Sequence, residues 1–344
     1  MPTAPNQSAW GHLVIALVVL ATVAVGVVAV WNSDPAGDRG NRLSESFQYD
    51  LDAHQQIDPK LFTYRQTAEI PLEFETPRAV AVGPDDRTYV AGDRAVHVFD
   101  QDGSRRTVFA LDGPPQCLAV ADQLYVGLGD RVEVYTKNGS RVAQWESLGD
   151  RAVLTSIAVA DGHVFVADAG EKVVWHFDAE GKRLGAIGRR DPERNIPGFV
   201  IPSPYFDIAM APDGLLRVVN PGGHRIEAFT LRGDLELSWG KPDIGVEGFC
   251  GCCNPANMAI LPDGRIVTAE KGIARVKVYS VLGDFEGVVC GPETLAAHAA
   301  TTDETRAPHR PAVVDVATDS QGRVLVLDPA ARRVLVFEER EIEN

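Results

Sequence analysis

The stretch DIAMAPDGLLRVVNPGGHRIEAFTLRG, from Asp207 to Gly233, decides the fold. It reads as a short strand, an Asp-Gly turn at Asp213-Gly214, a second apolar strand, a Pro-Gly-Gly turn, a third strand and a closing turn at Gly233. The residues that follow, GDLELSW, alternate and supply a fourth strand. Short β-branched or alternating runs bounded by Gly, Pro, Asn and Asp carry the strand-and-turn signature. The same layout recurs over Pro77 to Gly103, Gln116 to Gly139, Ser156 to Gly181, Asn257 to Gly283 and Asp315 to Arg340. Self-similarity at this period is the mark of a repeat architecture.

Six repeats of four antiparallel strands predict an all-β fold, a six-bladed β-propeller over residues 62–340. A single blade is too small to bury its own apolar faces and must pack on its neighbours. The sixth repeat lacks a fourth strand before the short tail, residues 341–344. YRQTAEIPLEF, Tyr64 to Phe74, alternates well enough to supply that strand, which would close the ring by pairing the two ends of the domain.

The recurring elements are an I-A-V-like strand, D-G, V-x-V-A-D, a short loop, R-V-x-V-F and a closing Gly. They are carried by Gly214, Asn220, Arg225 and Phe229 in the fourth repeat and by Gly322, Asp328, Arg333 and Phe337 in the sixth. This pattern resembles the NHL repeat, over about residues 64–340. The resemblance implies the propeller fold. It leaves function open, because NHL propellers include binding platforms as well as lyases and hydrolases.

Composition agrees with many short elements. The chain has 344 residues, 45% hydrophobic and 7% aromatic, with 32 Gly and 22 Pro. A net charge of −15 repels phosphate backbones and argues against nucleic-acid binding. Five cysteines in so long a chain do not make a disulfide scaffold.

Ahead of the repeats, Leu13 to Val30 reads LVIALVVLATVAVGVVAV, without a charge and with Trp10 and Trp31 at its ends. Eighteen residues rise about 27 Å as a helix, close to a hydrocarbon core, and tryptophans suit the two interfaces. A cleaved signal peptide is the rival. The apolar run exceeds the usual signal core, no Lys or Arg precedes it and no A-x-A site follows. The reading is a short N-terminal segment (1–12), an uncleaved transmembrane signal anchor (13–31) and a polar tether (32–61). Arg39 and Arg42 beyond the span leave the positive-inside rule nearly silent. A single N-terminal span before a large domain places the propeller on the extracytoplasmic side.

Three of the five cysteines fall within GFCGCCNP, at Cys250, Cys252 and Cys253, and Cys290 returns at the end of the same repeat. In a propeller the inter-blade loops share a face with the loops between second and third strands, so this cluster, Lys271 and Cys290 are expected on one face. The long connections Arg189 to Pro204, Lys241 to Pro255 and Gly291 to Pro311 make that face the expected site. Three readings stay open for the thiols. They bind a metal or an iron–sulfur centre, although C-x-C-C is not a standard spacing. They form disulfides, Cys252 with Cys253 or Cys250 with Cys290. Or they are small buried residues that tie down a loop. Lys271 and Arg275 nearby would lower thiol pKa values.

Aligning the repeats yields a second constellation. Their innermost strands begin at Ala79, Cys117, Ser156, Asp207, Asn257 and Asp315, which should ring the channel mouth. Asp207, Asn257 and Asp315 come from consecutive blades, and such oxygen donors suit Ca²⁺ or another divalent ion. Gluconolactonase-type propellers, similar in shape, hold an ion there; water at a polar mouth is the plainer reading.

A histidine-held zinc like that of the NHL-type amidating lyase does not emerge from the spacing. His97 and His176 fall in third strands and His163 follows a far-face turn, leaving His224, with His298 and His309 in the last long loop. The repeated Arg225, Arg275 and Arg333 read as braces for blade loops. No nucleophile elbow or phosphate loop appears in a supporting context.

The expectation is a membrane-anchored platform that binds an envelope protein or a small ligand. Its rivals are a metal-dependent hydrolase or lyase centred on Asp207, Asn257 and Asp315, and a redox or electron-transfer accessory with a cysteine-bound centre.

Overall fold

The computed structural model describes residues 7–32, 55–295 and 313–341. The chain divides into two compact units, Met1–Leu51 and Asp52–Asn344. The first contains one helix, α1 (Gln7–Asn32). It covers the predicted anchor, but among the described residues no helix is long and apolar enough to cross a membrane. Most of the tether, the end of the tail, and His298 and His309 of the last long loop lie outside the described residues.

Among its described residues the second unit builds six four-stranded antiparallel sheets from 24 strands. Blade one holds β2 (Pro77–Val82), β3 (Thr88–Gly92), β4 (Ala95–Phe99) and β5 (Arg105–Ala110). Blade two holds β6 (Cys117–Val120), β7 (Leu124–Leu128), β8 (Arg131–Tyr135) and β9 (Arg141–Gln144). Blade three holds β10 (Leu154–Ala160), β11 (His163–Asp168), β12 (Val173–Asp178) and β13 (Arg183–Ile187). Blade four holds β14 (Ile208–Met210), β15 (Leu216–Asn220), β16 (Arg225–Phe229) and β17 (Leu235–Trp239). Blade five holds β18 (Asn257–Ile260), β19 (Ile266–Ala269), β20 (Val276–Tyr279) and β21 (Phe285–Cys290). Blade six holds β22 (Asp315–Thr318), β23 (Val324–Asp328) and β24 (Arg333–Glu339), completed by β1 (Tyr64–Pro71).

The expected closure is therefore present. β1 runs antiparallel to β24, from Tyr64 opposite Glu339 to Pro71 opposite Arg333, with one register shift between Gln66 and Ala68. Burial follows the propeller logic. Second strands such as β3, β7, β15 and β23 are buried at every position, while the fourth strands β5 and β9 face outward. The apolar side chains sort into six clusters, each drawn from two adjacent blades. The core is thus a ring of interfaces, and the axis is left to the channel.

Candidate functional site at the channel mouth

The six inner strands enclose a central channel of about 1550 Å³. Ala79, Cys117, Ser156, Asp207, Asn257 and Asp315 all line it, as the aligned repeats predict. One mouth also carries Tyr205 from the loop entering blade four, Cys252 and Asn254 from the loop entering blade five, and Lys271 from the β19–β20 loop.

The ring residues spend their polar groups on the neighbouring blade. Asp207 Oδ2 accepts from Met258 N–H at 2.6 Å and its Oδ1 from Ile208 N–H at 2.8 Å. Asp315 Oδ2 accepts from Val80 N–H at 2.8 Å and its Oδ1 from Val316 N–H at 2.9 Å. Asn257 donates to the Val314 carbonyl at 2.8 Å. The Ser156 hydroxyl meets both N–H and C=O of Ile208 at 3.3 Å. These contacts run from blade three to four, four to five, five to six and six to one, so they tie the inner strands circumferentially. Burial pushes the Asp207 carboxyl up to about 6. Burial and then the Asp207 charge push Asp315 up to about 7. The Cys117 thiol is raised by burial and then by the same two carboxylates. Among the described residues no group of three or more His, Cys, Asp or Glu could hold a metal ion.

The cysteine loop is built on a buried charge cluster. Lys277, wholly buried, donates to the carbonyls of Gly248 at 2.6 Å and Val246 at 3.0 Å, and its ammonium sits 4.7 Å from the centre of the Phe249 ring. Glu270 balances it at 3.1 Å and pairs with Arg275 Nε at 2.7 Å. The other Glu270 oxygen accepts from Cys250 N–H at 3.0 Å, which fixes the start of the C-x-C-C segment. Glu270 stands where blades three, four and six have Asp168, Asn220 and Asp328, the acid or amide at the end of the second strand. Asp168 likewise accepts from Val153 N–H, and Asn220 from Val200 N–H, both at 2.9 Å. A recurring acceptor thus pins the loop that enters its own blade. Arg275 and Arg333 act as braces, Arg275 on Glu270 and the Ile244 carbonyl and Arg333 on Glu69 and the Thr294 carbonyl. Arg225 pairs with Glu227.

Beyond Cys250 the loop turns at Gly251, whose φ of +83° favours glycine. The Gly251 carbonyl meets the His224 imidazole. Asn254 clasps Lys271, donating to its carbonyl and accepting from its N–H, each at 2.9 Å. These bonds bring the Lys271 ammonium to the Ser203 hydroxyl at 3.2 Å and over the Tyr205 ring at 4.5 Å.

All five cysteines are free thiols. The Cys252 and Cys253 sulfurs are 3.2 Å apart, with Cys252 exposed and Cys253 buried. Burial raises the Cys253 thiol, but hydrogen bonds with Lys271, Ser203 and Cys252 and the Lys271 charge outweigh it and hold Cys253 below its ordinary value. The hydrogen bond with Cys253 and its charge push Cys252 the other way. Cys250 is raised chiefly by burial, which exceeds the opposing charge of Arg275. Lys271 thus lowers Cys253 as expected, while the lowering pull of Arg275 on Cys250 is outweighed by burial.

The expected neighbourhood of Cys290 needs correction. Cys290 is 1% exposed and packs with Val289, Leu295, Val314 and Leu335 between blades five and six. The structure forms neither a Cys250–Cys290 bridge nor a four-cysteine centre. The reason is local: the β20–β21 ladder shifts register between Val276 and Lys277, which puts Cys290 opposite Val276 and on its side of the sheet. A shift of one residue changes the face on which a strand's side chains lie.

Among the described residues no three histidines meet. His163 and His176 contact each other at 2.9 Å beside Phe165, and His97 stacks on Phe74. Ser203, Tyr205 and Glu270 were not singled out by sequence; of these, only Glu270 carried a readable signal, its place in the repeat.

Six sheets, six inter-blade clusters and a ring closed by β1 decide the architecture. The fold is a six-bladed β-propeller. No protein-family model matches the chain and no curated protein matches it in sequence. Solved structures do resemble it. A streptogramin B lyase aligns with a TM-score of 0.54 at 13% identity, covering 80% of this chain and 98% of that one. A catalytically inactive virginiamycin B lyase from Staphylococcus aureus with quinupristin aligns at 0.55 and 11% identity, covering 80% of this chain and 100% of that one. The WD40 propeller domain of Doa1 aligns at 0.50 and 14% identity, covering 81% of this chain and 98% of that one. At such identities the likeness is one of fold, and it joins lyases with a WD40 domain.

Proposed function

We propose that this chain is an NHL-type propeller that binds a small ligand or a peptide segment at the channel mouth formed by Tyr205, Cys252, Asn254 and Lys271. The observation that carries this reading is a channel of about 1550 Å³ whose mouth holds an ammonium over an aromatic ring beside an exposed thiol. Concave sites with a few convergent polar groups are where proteins take ligands. Lys271 favours an anionic group, and Tyr205 gives that group an apolar neighbour. The Leu13–Val30 run would anchor the propeller in a membrane, with its mouth presented to envelope partners on the extracytoplasmic side.

A divalent-ion hydrolase or lyase receives less support, because Asp207, Asn257 and Asp315 already serve backbone groups of the next blade. Thermal-shift screening of the full-length chain in detergent against anionic metabolites and peptides tests the binding reading. A ligand that raises Tm in the parent protein and loses at least about tenfold in affinity on Lys271→Ala supports it, as expected for one charge-assisted hydrogen bond. Absence of any such ligand, or one indifferent to Lys271→Ala and Tyr205→Ala, counts against it. Membrane anchoring is checked separately, by resistance of the membrane-bound chain to alkaline extraction and its loss when residues 13–30 are deleted.

A further inference from the structure

The two adjacent thiols are unlike each other in every respect that matters for sulfur chemistry. Cys253 is 2% exposed and touches Lys271 and Ser203. Cys252 is exposed and lines the channel mouth. Their sulfurs lie 3.2 Å apart, closer than two unbonded sulfurs usually sit and one short displacement from the roughly 2.05 Å of a disulfide. We propose that Cys252 and Cys253 form a thiol–disulfide exchange site that hands a disulfide to thiols reaching the channel mouth, with Cys252 the sulfur attacked and Cys253 the sulfur that leaves.

The sequence of bonds follows from the geometry. With the pair oxidised, an incoming thiolate attacks the exposed Cys252 Sγ. The Sγ–Sγ bond breaks and its electron pair stays on Cys253 Sγ, a thiolate stabilised by the Lys271 ammonium and the Ser203 hydroxyl. A second incoming thiolate then attacks the ligand sulfur of the mixed disulfide. That bond breaks toward Cys252 Sγ, which takes a proton from water. Two thiols have become one disulfide and the protein disulfide has become a dithiol. The reverse sequence with a small disulfide reloads the pair, so the oxidant is itself a disulfide. Exchange is fastest when the departing sulfur is a stabilised thiolate, and here that sulfur is the buried one.

Two features set the direction. Adjacent residues hold their Cα atoms about 3.8 Å apart across a trans peptide, below the roughly 4.4–6.8 Å range of relaxed disulfides. The ring is therefore strained when closed, and the reduced form is favoured by what holds Cys253. Strained, exposed disulfides with stabilised reduced forms lie at the oxidising, labile end of the scale. This inference stands apart from the identity of any ligand in the channel.

The test equilibrates the full chain in glutathione buffers of graded disulfide-to-thiol ratio, blocks free thiols with a maleimide and weighs the peptide carrying residues 250–255. The expected result is a reversible loss of two hydrogens between Cys252 and Cys253. Cys253→Ser should trap glutathione on Cys252 as a stable mixed disulfide. Lys271→Gln should move the equilibrium about tenfold or more toward the disulfide, because the reduced form loses a charge-assisted hydrogen bond. The Lys271→Gln readout holds even where a cysteine variant fails to fold. Thiols that stay alkylatable in every buffer would sink the proposal. So would thiols freed only by a chelator, a closed pair that glutathione cannot open, or an equilibrium that Lys271→Gln leaves in place.

Discussion

Asp207 and Asp315 show how one residue type can look like a metal ligand and serve as a strut. Each carboxylate accepts from its own strand and from the next blade's inner strand. Both are held above the usual carboxylate range, at about 6 and about 7. The unfolded groups titrate near 4, so between about pH 4 and pH 7 the folded state binds more protons than the unfolded one. Stability from these groups is then full below about pH 4 and is lost as pH rises through their folded values. The loss is on the order of 3 kcal/mol per carboxyl. Urea unfolding from about pH 4 to pH 8 should show this decline, and Asp315→Asn should flatten it; a variant that tracks the parent at every pH would remove the carboxyl as its source. The positions of these residues were legible, because repeat alignment finds the start of each inner strand. Their partners were not, because a backbone N–H on another blade leaves no mark in the sequence. Ser203 and Tyr205 lay in a connection with no periodicity at all.

At the scale of elements, blades two and four are keyed to the blade that follows by a tryptophan at the end of the outer strand. Trp145 after β9 lies against Gly181, and Trp239 of β17 against Gly283, where a Cβ would come within 2.4 and 2.3 Å of the indole. Both glycines close the turn between third and fourth strands, with φ of +87° and +97°. They are glycine for two reasons at once, the left-handed backbone and the absence of room. Gly283→Ala therefore combines a strained backbone with an overpacked contact and should cost about 2–4 kcal/mol in urea unfolding. A loss below about 0.5 kcal/mol, typical of an unconstrained surface site, would show that the indole simply moves aside. These turns are what made the blades readable, since an Asp, Thr or Ser three residues before a Gly recurs with its flanking strands. The register shifts of β20 and β21 are the opposite case. Cys290 was expected beside the cysteine loop because it ends a strand on that propeller face; nothing in VKVY and FEGVVC signals the bulge that turns its side chain toward blade six.

For the whole molecule, stability rests on closing the ring. β1 and β24 join residues 64–71 to residues 333–339 along a nearly continuous ladder. Arg265 of blade five adds two hydrogen bonds to Glu339, at 2.8 and 2.7 Å. Removing residues 1–72 leaves β24 as an unpaired edge and uncovers Val334 and Val336 of the blade-six-to-one cluster. Such a chain should elute as aggregate or oligomer in gel filtration and be cut rapidly by protease, because bare edges recruit other strands. A monomeric, protease-resistant product would show that the other five blade interfaces suffice.

That closure also imposes a timetable. The chain leaves the ribosome from its N-terminus, so β1 is made before the other described strands of the propeller and its partner β24 after them. Blades one to five can assemble in order as they appear, each on the one before it, but β1 must wait with one edge bare until β24 has been made. A polypeptide halted anywhere before residue 333 carries that edge permanently. In this protein completeness of the ring is therefore inspected by folding itself, with β1 as the inspector.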